Sequence, residues 1–157
     1  MRCTIDDLYR VDRVLKHDSI YPFISDDNSL SVDEFTTEGI LKNDNVYVLS
    51  PDEYTVFIAF PFNSVTYDIH VNMVAPEGRG KNAEVTTRMM LEYMFTETPC
   101  QKLISVIPFS CENVLLFALK MGMKLEGIIK KSYLKNGELQ DQRLLGMTKE
   151  YWIKEVK

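Results

Sequence analysis

A chain of 157 residues has the length of one domain, and at that size roughly two-thirds of the unfolded chain's surface is buried on folding. Hydrophobic residues make up 45% and charged residues 26%, which excludes a disordered or collagen-like chain. Lys and Arg number 18 against 23 Asp and Glu, and a net charge of -5 excludes a general nucleic-acid coat, because phosphate needs a basic surface. The uncharged stretch Tyr54 to Tyr67 is too short to span a bilayer and holds Pro61 and Asn63, so no membrane span is expected. Met1-Arg2-Cys3-Thr4 runs into acidic residues without an apolar signal core, and a cytoplasmic protein is expected. Cys3, Cys100 and Cys111 fit no zinc or redox spacing and read as reduced thiols. His17 and His70 are the only histidines, so no metal ligand set is expected.

In chain order, a short strand is predicted at Arg2 to Thr4. Thr4 then caps a helix with Asp6 and Asp7 in its first turn and a stripe of Ile5, Leu8, Val11, Val14 and Leu15. Tyr21-Pro22 breaks it, and a polar segment leads to a second helix at Val32 to Leu41. Strands follow at Val46 to Leu49, Tyr54 to Phe60 and Val65 to Val74, with short turns between them. A loop, Pro76 to Lys81, precedes a helix at Ala83 to Thr96 whose methionines read as core filling. Leu103 to Ile107 is predicted as a buried central strand. Ser110 is the expected cap of a helix at Cys111 to Met121, closed by Gly122. Leu125 to Leu134 and Leu139 to Met147 flank Asn136-Gly137, a strong hairpin signal. No repeat or linker divides the chain, so residues 1–157 form one α/β domain, a mixed sheet with helices on both faces.

The segment carrying most chemical information is Val74-Ala75-Pro76-Glu77-Gly78-Arg79-Gly80-Lys81-Asn82-Ala83, between a strand and a helix. Glycines there let the backbone turn tightly, and a helix start offers unpaired N–H groups to an anion. This strand and loop resemble the pyrophosphate-binding motif of the acyl-coenzyme A N-acyltransferase (GNAT) superfamily. Met121 to Gly127 is similar to that family's stretch after its last core helix. Lys135 to Asp141 and Met147 to Trp152 resemble the tail of the branch that acetylates ribosomal-protein N-termini. The resemblance covers about Asn45 to Trp152.

It implies the GNAT fold, with a mixed, mostly antiparallel sheet of about seven strands, splayed open between the strand ending near Val74 and the strand Leu103 to Ile107. It further implies acetyl-coenzyme A as cofactor, amides near Met73 and Val74 polarising its thioester, and Arg79, Gly80, Lys81, Asn82 and Ala83 holding its pyrophosphate. The chain departs from the family loop at Asn82, usually glycine, and at Glu84, usually small. Asn82 can still cap the helix. Glu84 competes with phosphate for the positive helix end, and Arg79, Lys81 and Arg88 are expected to offset it. Ala118 stands where active members often carry a tyrosine acid, and Cys111 where they often carry asparagine.

On the third of these strands Thr66, Asp68, His70 and Asn72 alternate with apolar residues, giving a polar face outside the core. His70 and Asp68 are the candidate catalytic base, in competition with a plain solvated strand face. Asp26, Asp27, Asp33 and Glu34 read as solvated charges, and the resemblance implies that they rim an acceptor site suited to a cationic amine. The expected function is acetyl-coenzyme A-dependent transfer to a primary amine, on a small molecule or a protein. The alternative is a module similar to small phage-encoded GNAT-like proteins, some linked to head or virion assembly, with weak or no catalysis. A coenzyme A sensor is a third reading. A homodimer or a phage assembly partner is compatible with this; a nucleic-acid or membrane partner is not expected.

Overall fold

The computed structural model describes residues 1–157. A 3-10 turn, Ile5–Asp7, runs into α1 (Leu8–Leu15), and Asp7 Oδ2 accepts the amide of Thr4 at 2.9 Å, closing the helix start. Val11, Val14 and Leu15 are buried, as their spacing predicts. The first helix ends at Leu15, ahead of the expected break, and Tyr21-Pro22 itself opens α2 (Tyr21–Ile24), since a proline in the first turn loses no intrahelical bond. The helix expected from Val32 contracts to α3 (Glu38–Leu41). Ser31 Oγ donates to Glu34 Oε2 at 2.6 Å, and Asp12 Oδ1 takes both the amide and the hydroxyl of Thr37, at 2.8 and 2.6 Å. Such side-chain bonds compete with helical ones.

The strands are β1 (Tyr47–Leu49), β2 (Thr55–Pro61), β3 (Thr66–Met73), β4 (Lys102–Pro108), β5 (Lys124–Lys135) and β6 (Glu138–Thr148). Helices α4 (Lys81–Glu97) and α5 (Glu112–Lys120) follow β3 and β4, and a short α6 (Lys149–Tyr151) continues into a helical turn, Trp152–Val156. The sheet has 6 strands in the order β1-β2-β3-β4-β6-β5, rather than about seven. The missing strand is the N-terminal one. Arg2 makes only an isolated bridge to Leu49, because the chain turns helical immediately afterwards. Asn136 and Gly137 have φ of 52° and 74°, the left-handed pair that a two-residue Asn-Gly hairpin requires.

Two cores sandwich the sheet. Phe57, Ala59, Tyr67, Ile69 and Leu103 pack with Met90, Leu91, Met94 and Phe95 of α4, joined by Trp152. On the opposite face Val48, Val56 and Ile58 pack with Val11, Val14 and Leu15. A smaller cluster seats Leu115 and Ala118 of α5 on Ile107 and Leu145. Ser110 does not cap α5; Cys111 holds that position, and the Ser110 hydroxyl donates to Gln140 Oε1 at 2.8 Å. Gly122, at φ 97°, ends the helix as expected. No helix is long and apolar enough to cross a membrane.

Candidate active site

β3 and β4 form the parallel pair of the sheet, and their pairing runs only from Thr66↔Lys102 to Asp68↔Ile104. Beyond that point the two strands part, while β3 stays paired with β2 as far as Met73 and β4 with β6 as far as Pro108. The resulting opening accounts for β4, expected to be fully buried, sealing only Leu103 and Ile107. Ser105 Oγ still reaches Ile69 O, at 3.4 Å, across the start of the opening.

Hydrogen bonding alternates along a strand, and this sorts the amides of β3. Val74 donates to Tyr54 O on the β2 side at 2.9 Å, whereas Ile69 O faces Ser105 on the β4 side. The amides of Val71 and Met73 therefore face the opening with no strand to receive them. Of the two positions expected to polarise a thioester, Met73 has a free amide and Val74 does not.

The loop after β3 turns tightly, with Gly78 N on Val74 O at 2.7 Å and Arg79 N on Pro76 O at 3.1 Å. A side chain at Gly78 would put its Cβ 2.9 Å from Tyr54 O and 3.0 Å from Val74 O, so the close approach needs glycine. Gly80, at φ 63°, is the N-cap of α4. The amides of Lys81, Asn82 and Ala83 open this helix without intrahelical acceptors, and no loop oxygen takes them or that of Gly80. Four of the five expected pyrophosphate positions thus present unpaired N–H groups. The fifth, Arg79, has its amide engaged, and its guanidinium is directed at Met73 O (3.4 Å) and Ser19 O (3.3 Å).

The two departures from the family loop have structural partners. Asn82 does not cap α4; its Nδ2 donates to Asp52 Oδ2 at 2.7 Å, tying the helix start to the β1–β2 turn. Glu84 Oε1 receives Lys120 Nζ from α5 at 2.6 Å. The Lys120 ammonium, with smaller help from Arg88 and Lys81, holds the Glu84 carboxyl below its ordinary range. Lys120 was not legible as a site residue. It sits 36 residues from Glu84, and a lysine in the last turn of a helix already has a sufficient reason to be there.

Asp68 and His70 lie on the face of β3 opposite α4, with His70 Nε2 3.3 Å from Asp68 Oδ2. The His70 side chain is 53% exposed and that of Asp68 28%, and the edge of the Phe60 ring packs on the imidazole at 5.2 Å between centroids. A carboxylate at Nε2 favours the Nε2–H tautomer and leaves Nδ1 to accept a proton. Asn72 departs from the expected polar face. It is buried, and its Nδ2 donates to Val56 O at 3.1 Å, so it serves the sheet. Ala118 lies buried against Ile107 and Leu145, leaving no phenol on α5.

The acidic segment lies at the surface, and three of its four carboxylates have hydrogen-bond partners. Asp26 Oδ1 accepts Asn28 N at 2.9 Å, Glu34 binds Ser31, and Asp27 accepts two amides of the β5–β6 turn. A cavity of about 310 Å³ lies beside this segment, lined by Tyr21, Ile24, Leu30 and Phe35 among others; no residue of the α4 loop or of the β3 polar face lines it.

No protein-family model and no curated protein sequence matches the chain. Among solved structures it is similar to spermidine N-acetyltransferase from Vibrio cholerae in complex with CoA and spermine, with a TM-score of 0.78 at 16% identity over 98% of this chain and 96% of that one. A chimera of the Vibrio cholerae enzyme SpeG with hSSAT gives a TM-score of 0.78 at 16% identity over 99% and 97%. At that identity the likeness is one of fold, and over essentially its whole length the chain has the GNAT fold.

Proposed function

We propose that the protein is an acetyl-coenzyme A-dependent N-acetyltransferase acting on a primary amine by direct transfer. The observation that carries this reading is a row of unpaired donors in two parts, one on each side of the loop after β3. Amides of Val71 and Met73 line the strand opening, and those of Gly80 to Ala83 follow at the start of a long helix. An anion at the helix start and a thioester in the opening fit that row. The similarity to an acetyltransferase bound to CoA and spermine supports the same assignment.

Acetyl-coenzyme A, when bound, supplies the acyl carbon and the thiol leaving group. The amide of Met73 would be the donor available to the acyl oxygen in the opening. His70, oriented by Asp68, would take a proton from the incoming ammonium, directly or through water, leaving a neutral amine able to attack. No phenol stands on α5 to protonate the departing sulfur, so that proton comes from solvent or from the amine itself. A binding or assembly module with little catalysis is the competing reading, favoured by Ala118 in place of the acid.

The test mixes protein, acetyl-coenzyme A and either spermine or a peptide α-amine, and measures free thiol and acetylated amine. Both products should appear in equal amounts. Coenzyme A binding without thiol release would move the assignment to the binding module, and absence of binding would end it.

A further inference from the structure

Ser19 lies between α1 and α2, yet it makes two attachments to the loop after β3, far along the chain. Its Oγ accepts the amide of Ala75 at 3.0 Å, and its carbonyl accepts Arg79 Nη2 at 3.3 Å. The same guanidinium donates through Nε to Met73 O at 3.4 Å. On its other side Ser19 is braced by His17, whose Nδ1 lies 2.8 Å from Oγ and accepts the Ser19 amide at 3.1 Å. Because Oγ already accepts from Ala75, its single hydrogen is left for His17 Nδ1.

We propose that Ser19 and Arg79 form a strut that positions the cofactor loop, and that Arg79 acts as a fork between two carbonyls rather than as a charge for phosphate. The inference rests on the coenzyme A reading of the loop and assigns positioning residues within it. Both acceptors of the guanidinium are neutral carbonyls, one at the end of β3 and one on the α1–α2 connection. A planar fork with several fixed donors suits two acceptors in different directions, and a single ammonium does not. Arg79 immediately precedes the unpaired amides of Gly80 to Ala83, so the strut fixes where those donors point. Displacing such a row by a fraction of a hydrogen-bond length costs affinity without removing any ligand-touching group. The far end of the strut lies two residues before α2, which joins the cofactor loop to the opposite face of the sheet.

The experiment has two arms. Amide exchange is followed at Ala75 without ligand in wild type, Ser19→Ala and Ser19→Thr. Coenzyme A is titrated calorimetrically into wild type, Arg79→Lys, Arg79→Ala, Ser19→Ala and Ser19→Thr at low and high salt. Loss of one or two net hydrogen bonds predicts Ala75 exchange faster by about five- to tenfold in Ser19→Ala, with Ser19→Thr near wild type. Arg79→Lys should weaken coenzyme A by about tenfold, as much as Arg79→Ala, with the salt dependence of binding unchanged in both. Wild-type affinity in Arg79→Lys alongside a loss in Arg79→Ala would overturn the fork and make Arg79 a charge ligand. Unchanged Ala75 exchange in Ser19→Ala would overturn the strut. If wild type binds no coenzyme A, the cofactor reading and the positioning role fall together, while the exchange arm still decides whether the strut exists.

Discussion

Asp27 Oδ2 accepts the amide of Gly137 at 2.7 Å across 110 residues of chain, and Oδ1 accepts that of Asn136 at 2.7 Å. The β5–β6 turn is therefore clasped by the segment after α2. Lys135 Nζ donates to the carbonyls of Pro22 and Ser25, and the Tyr133 hydroxyl to Ser25 O at 3.2 Å. One end of α2 is thus held by the hairpin, while Ser19, before its other end, holds the loop after β3.

Removing the clasp has a signed pH consequence. The amides of Gly137 and Asn136 hold the Asp27 carboxyl below its ordinary value of 3.8. Its depressed folded value means that the stabilisation is present above 3.8 and is lost as pH falls through the folded value. Asp27→Asn should lower the melting temperature at neutral pH and speed exchange at Gly137, and the deficit should shrink in strong acid. An equal deficit at every pH would show that the carboxylate charge is not what the turn uses.

The core gives a prediction independent of function. Phe95 is fully buried and its ring lies 5.3 Å from that of Trp152, so the helical turn after α6 closes one end of the α4 core. Phe95→Ala should destabilise the fold by about 3–5 kcal/mol, measurable by denaturant titration. A loss below about 1 kcal/mol would mean that the C-terminal turn collapses into the space.

What was legible in the sequence divides along chemical lines. The β-branched and aromatic run of β2, the alternation in β3, the Asn136-Gly137 turn and the glycine after α5 carry local signals, and each fell close to where it was expected. The loop before α4 carries a weaker signal, because glycines between a strand and a helix often mark only a turn, and the resemblance to the family's motif is what singled it out. Contacts between distant segments carry no such signal. Asp27 reads as a solvated charge until Gly137 is placed beside it, and Arg79 reads as a phosphate ligand until Ser19 is. The parting of β3 from β4 has no local signal, since each strand keeps an ordinary apolar pattern while paired on its other side, and its expectation came from the family resemblance alone.

The proposed catalytic pair is open to a kinetic test. His70→Ala should lower kcat by roughly a hundredfold with a small change in KM and in melting temperature, and Asp68→Asn should cost less. Wild-type turnover in both variants would leave the polar face of β3 as surface and remove the proposed base.

The cysteines should differ in reactivity. Burial pushes the Cys100 thiol up to about 11 and raises Cys3, while Cys111 is only half-buried at the start of α5. A thiol reagent at neutral pH should modify Cys111 first, with Cys100 reacting only on unfolding. Simultaneous modification of all three in the native protein would contradict this burial.

The ion pair between Glu84 and Lys120 gives the most direct test of the anion site. Glu84 stands in the first turn of α4, where its charge opposes a phosphate, and Lys120 cancels much of that charge at 2.6 Å. A ligand at about a hundredfold its dissociation constant adds roughly 2.7 kcal/mol to folding stability. For a domain of this size that is a rise of roughly 5–10 °C in melting temperature. Saturating coenzyme A should produce that rise in wild type, despite the carboxylate. Lys120→Ala leaves Glu84 uncompensated and should reduce the shift, whereas Glu84→Ala should increase it. The double variant should resemble Glu84→Ala, because Lys120 then has nothing to cancel. A double variant as weak as Lys120→Ala would mean that the ammonium reaches the phosphate itself. If all four proteins melt at the same temperature with and without coenzyme A, the start of α4 is no cofactor site.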